Sequence, residues 1–154
     1  MSTQISAYRR VASLYKWDYQ KAEMALADAM AQLNRLRRTC HKLDAEIDAL
    51  LESGAGTPAA FDTSMREAVL RLVAELNGKL AAYRQAYDAQ ILVVLDLRKA
   101  LMMARVRKDK SLEKHREAVS LHRLARSAKE VEELTDVYAA NLFRSQVAAT
   151  AGRG

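Results

Sequence analysis

Residues that break a regular chain are scarce. There is one proline, Pro58, and there are five glycines in 154 residues. Gly54 and Gly56 stand with Pro58 in one short stretch, ESGAGTPAAFDTS, which begins at Glu52. The rest of the chain is rich in Ala, Leu, Arg, Lys and Glu, and this composition predicts long helices. A single cysteine, Cys40, excludes an internal disulfide and fits a reducing compartment. No run of about 20 apolar residues offers a membrane span. The opening residues lack the basic, apolar and small-residue order of a signal peptide, so a cytoplasmic protein is expected. Hydrophobic residues at 50% and charged residues at 29% exclude a disordered tail.

Catalytic groupings are missing as well. No glycine-rich loop leads into Lys-Ser/Thr for phosphates, and GAG alone is too short. Cys40 and His41 point about 100° apart on a helix, and Cys40 reads as a small buried hydrophobe. His115 and His122 are seven residues apart, roughly 10 Å along a helix, too far for one metal ion. No Ser-His-Asp or Cys-His set can be built at such spacings. The sequence therefore predicts no catalytic residue, no metal ligand and no cofactor, and the chain is not expected to be an enzyme.

What the chain does contain is a seam. From about Ser6 to Leu51 there is neither Pro nor Gly. Tyr8, Ala12, Tyr15, Tyr19, Ala22, Leu26, Ala29, Leu33, Leu36, Cys40, Leu43, Ile47 and Leu50 recur in unbroken steps of four and three. That 3.5-residue repeat marks a helix lying along another helix in a left-handed supercoil. After the break, Asp62, Thr63 and Ser64 are candidate N-caps, and Ser64 with Glu67 has capping-box spacing. A second seam follows at Val73, Leu76, Leu80, Tyr83, Tyr87, Gln90, Val94, Leu97, Leu101 and Ala104. Gly78 lies off it, either tolerated or marking a close backbone contact with a partner.

Two helices of one period around one Gly/Pro loop predict an all-α fold, an antiparallel two-helix coiled-coil hairpin with a longer second helix. The expected layout is a single domain over 1–154. Helix one covers about 4–52, the loop 53–59, helix two about 60–148, and a tail 149–154. Gly54 is placed to end helix one as its C′ residue. Helix one is expected to be used up opposite about residue 108. Beyond it, Leu121, Leu124, Ala128, Val131, Thr135, Tyr138 and Leu142 form another 3-4 seam, one residue out of phase. A stutter, break or bend is therefore expected in ARVRKDKSLEK. A bare seam of this length must fold back, pair with a second copy, or be held by another protein.

Charge is concentrated in one place. Residues 98–126 hold ten basic and three acidic side chains, giving +7 against −1 for the rest of the chain. Three readings fit: a solvated mixed-charge face, a sleeve for an acidic protein partner, or a nucleic-acid or membrane-surface contact. Against nucleic acid, Asp109, Glu113 and Glu117 would face phosphates. In addition, no Asn or Gln lies among the basic residues to read adenine.

The stretches YRRVASLYKWDYQKAEMALADAMAQLNRLRRTCHKL and LRKALMMARVRKDKSLEKHRE carry a resemblance. With the short first helix, the Gly-containing tip and the basic second helix, the chain resembles the central stalk family of type III secretion. This family comprises flagellar FliJ and the virulence-system YscO, SctO and Hrp-type proteins. The likeness covers most of the chain and rests on architecture and composition. It implies a coiled coil like the γ stalk of rotary ATPases, with the termini end inside a hexameric export ATPase and the other end facing the cytoplasmic ring of the export gate. It also implies binding of export chaperones by some members, promotion of the ATPase without catalysis, and a cytoplasmic location at the inner-membrane face of the secretion apparatus. On that reading Arg105, Arg107, Lys108, Lys110, Lys114 and Arg116 are expected to meet the ATPase, and Phe61, Met65 and Val69 the gate. The alternatives are a homo-oligomeric structural coiled coil paired through 121–142, and a basic nucleic-acid-binding hairpin.

Overall fold

The computed structural model describes the backbone of residues 2–55 and 63–153 and the side chains of residues 3–53 and 63–153. Two helices make up the fold: α1, Ser2–Ala55, and α2, Thr63–Ala151. They pack against each other as an all-helical hairpin, and the described residues contain no strand. Pro58, Phe61, Asp62 and most of the expected loop lie outside the described residues. Gly54 does not end α1 as its C′ residue. The helix runs on to Ala55, and no described glycine has a positive φ. Ser64 is not the cap of α2, because the helix already begins at Thr63. Packing falls into two units, Trp17–Arg105 and Met1–Lys16 with Val106–Gly154.

In the 17–105 unit every predicted seam position of α1 is buried or half-buried. The tightest cluster is Leu43, Ile47, Val73 and Leu80, with Cys40, Leu50, Val69 and Leu76 packed around it. Two helices are too thin to enclose a large side chain completely, and none is fully buried. Tyr83 departs from expectation for that reason. It is 41% exposed although the repeat places it on the seam. Gln90, the one amide on the seam, donates from Nε2 to the carbonyl of Ala29 across the hairpin at 3.0 Å. Ala29 is small enough for that approach, and the bond fixes the register of the two helices. Arg84 and Asp44 also face each other at 3.4 Å. Both are exposed, so this bridge adds little stability.

Gly78 has open space where a Cβ would be, so it makes no close backbone contact within the hairpin. Gly78→Ala should therefore stabilise the hairpin by about 1 kcal/mol, since alanine loses less backbone entropy in a helix. The check is a higher urea midpoint at unchanged slope.

In the other unit the expected break is absent. Residues 105–112 are helical throughout. The buried and half-buried positions of α2 in this unit are Lys108, Ser111, Leu112, His115, Ala118, Val119 and His122. Lys108, Ser111, His115, Ala118 and His122 keep the heptad phase of Leu101 and Ala104, and Leu112 and Val119 widen the stripe by one residue. The helix itself is unbroken, because nothing in that stretch interrupts its hydrogen-bond ladder. Pairing also extends further than residue 108. Tyr8 lines a groove with Ser111 and Lys114, and Ile5 lines one with Ala118 and Leu121. The expected limit was too short because it centred the turn near residue 56, whereas α1 ends at Ala55 and α2 begins at Thr63.

Candidate partner-binding site

Arg107, Lys110 and Lys114 of the 1–16 and 106–154 unit sit beside the first turns of α1. Ala12 of α1 and Ser111 of α2 are both buried, each at 6% exposure. The Ser111 hydroxyl donates to the Lys108 carbonyl at 2.8 Å, which satisfies it without a cross-helix partner.

A groove is lined by Tyr8, Val11 and Tyr15 of α1 and by Arg107, Lys110, Ser111 and Lys114 of α2. The tyrosines are half-buried, while Val11 and the three cations are exposed. No carboxylate lines it. An aromatic floor with a cationic rim suits an acidic amphipathic segment, which could bury apolar side chains and place carboxylates at the edge. The adjoining groove shares Tyr8 and Lys114 and continues along Ile5, Ala118 and Leu121, with one carboxylate, Glu117, in its lining.

The nine partner-binding candidates do not form one site. Arg107, Lys110 and Lys114 converge on the groove. Lys108 is half-buried, on the face of α2 that packs inward. Arg116 lines a different groove, with His115, Val119 and Arg123. Arg105 is exposed and belongs to the 17–105 unit. In that same unit Met65 is 58% exposed, whereas Val69 packs against the core cluster. Phe61 lies outside the described residues.

Sequence reasoning missed Tyr8, Val11 and Tyr15 as groove residues, having assigned the tyrosines to the seam alone. A helical step was the available signal, because Tyr8, Val11 and Tyr15 follow in steps of three and four. It also missed that Arg107, Lys110, Lys114, Glu117, Leu121 and Leu124 are one stripe at the same steps. The basic groove and the later apolar seam thus belong to one face of α2.

Among the described residues no three His, Cys, Asp or Glu side chains are grouped to hold a metal ion. No described helix is long and apolar enough to cross a membrane. No family model, curated protein or solved structure matches the chain.

Proposed function

We propose that this chain is a non-enzymatic stalk of a type III protein export apparatus. In this reading it binds the hexameric export ATPase, promotes its activity, and links it to the cytoplasmic ring of the export gate. The observation that carries the proposal is the asymmetry of the hairpin. α1 begins beside residues 111–121 of α2, and all described α2 residues beyond His122 are exposed. A single helix leading out of a cation-rimmed groove presents an extended surface without a pocket for a small substrate. Such a surface suits protein contact along its length. The resemblance to the stalk family supplies the partner class, including export chaperones as further ligands of the same surface.

A homo-oligomeric coiled coil with no ATPase link is the second reading, favoured by the bare seam over 121–142. Hydrolysis assays separate the two. Adding the full chain to a purified hexameric type III export ATPase should raise its turnover, and the effect should saturate at a fixed ratio. Turnover unchanged at every ratio would reject the stalk and leave the structural coiled coil.

A further inference from the structure

The inner seam of α2 changes character at Lys108. Within the 17–105 unit it is aliphatic or aromatic apart from Gln90, and Val73, Leu80 and Val94 are buried on it. The cluster of Leu43, Ile47, Val73 and Leu80, the Gln90–Ala29 bond and the Arg84–Asp44 bridge all lie in that unit. In the other unit the heptad positions are Lys108, Ser111, His115, Ala118 and His122, and of these only Ala118 is apolar. Leu112 and Val119 beside them are half-buried. From α1 this unit takes one buried residue, Ala12, with Tyr8 and Tyr15 half-buried a turn to either side. Ala12 and Ser111, the buried residues described there, are small and remove little apolar surface from water. Local stability follows buried apolar contact. Propensity alone holds a helix end weakly once its packing partner is gone.

We propose that the part of α1 up to Lys16 is a detachable strap, which leaves α2 and unwinds in one cooperative step while the 17–105 unit stays folded. The step is cooperative because Ala12, Tyr8 and Tyr15 share one seam, so the release of Ala12 frees both tyrosines. The strap also controls the groove. Tyr8, Val11 and Tyr15 come from the strap, whereas Arg107, Lys110 and Lys114 come from α2. Opening therefore removes the aromatic floor and leaves the three cations on a bare helix. A ligand that needs both walls binds only the closed form, so it holds the strap shut, and its apparent affinity scales with the closed fraction. That regulatory consequence rests on the stalk reading, with the acidic segment of the export ATPase as the ligand. The opening itself does not rest on it.

The test is native-state hydrogen exchange of the full chain, read residue by residue by NMR over a series of urea concentrations, with no other protein present. Amides of residues 8–15 should exchange at least about thirtyfold faster than those of residues 43–50. They should share one protection factor to within about threefold and one urea slope, smaller than that of residues 43–50. Equal protection in the two segments overturns the proposal. So does a smooth gradient from Tyr8 to Tyr15 with no urea dependence, which is simple end fraying. Ala12→Lys places a charge at the buried strap position, and it should remove the protection of residues 8–15 while residues 43–50 stay protected. Retained protection of residues 8–15 in this variant counts against the strap. In the same variant the dissociation constant for a purified hexameric export ATPase should rise at least about tenfold, although the three groove cations are intact and a fourth has been added. Undiminished binding with the strap open would overturn its control of the groove. If the ATPase binds neither chain, the stalk reading falls and takes the regulatory step with it, while hydrogen exchange still decides the strap.

Discussion

Leu80→Asp should destabilise the hairpin by about 3–5 kcal/mol, enough to unfold a marginal two-helix packing. Leu80 is 4% exposed and sits in the cluster with Leu43, Ile47 and Val73. A carboxylate there loses its water and gains no cation, since the residues packed around it are apolar. Gln32→Asp on the exposed face of α1 adds the same charge without burial. It should shift stability by no more than about 0.5 kcal/mol. Urea denaturation followed by circular dichroism compares the two. Equal midpoints would mean that the seam assigned to α2 is wrong.

Exchanging Arg107, Lys110 and Lys114 together for Glu should weaken binding to the export ATPase by roughly a hundredfold, at about 1 kcal/mol for each reversed charge. All three line one groove and all three are exposed. Reversal therefore turns the cationic rim acidic and leaves the core untouched. Helicity should not change, because exposed charges contribute little to folding. Met65→Glu supplies the comparison, since Met65 is also exposed but lies near the start of α2 in the other unit. It should spare the ATPase and act only on contact with the export gate. Should Met65→Glu abolish ATPase binding while the triple reversal leaves it intact, the polarity of the stalk is the opposite of that proposed.

The seam was legible in the sequence because a 3.5-residue repeat follows directly from helix geometry. In the 17–105 unit only Tyr83, of all the predicted seam residues, is exposed. The extent of pairing was harder to read. Lys108, Ser111 and His115 carry no hydrophobic signal, yet they occupy inward-facing positions of α2. Small or long-stemmed polar side chains can line a thin two-helix seam beside Tyr8 and Ala12 without an apolar pattern to announce it. The apolar stripe beginning at Leu121 then imitated a break in the helix, although it marks a second face. The groove was legible only in part. Its cations stood out as a charge excess, but their division into groove, inward face and opposite side depends on which helix face each one occupies. A charge count does not contain that information.

The central claim is tested most directly by the affinity of the purified full chain for a purified hexameric type III export ATPase, measured by calorimetry at several salt concentrations. The account predicts saturable binding at a fixed number of chains per hexamer. The dissociation constant should rise as salt increases, because the exposed cations around Lys110 and Lys114 are screened. Absence of binding at low salt, with the chain shown to be helical in the same buffer, would contradict it.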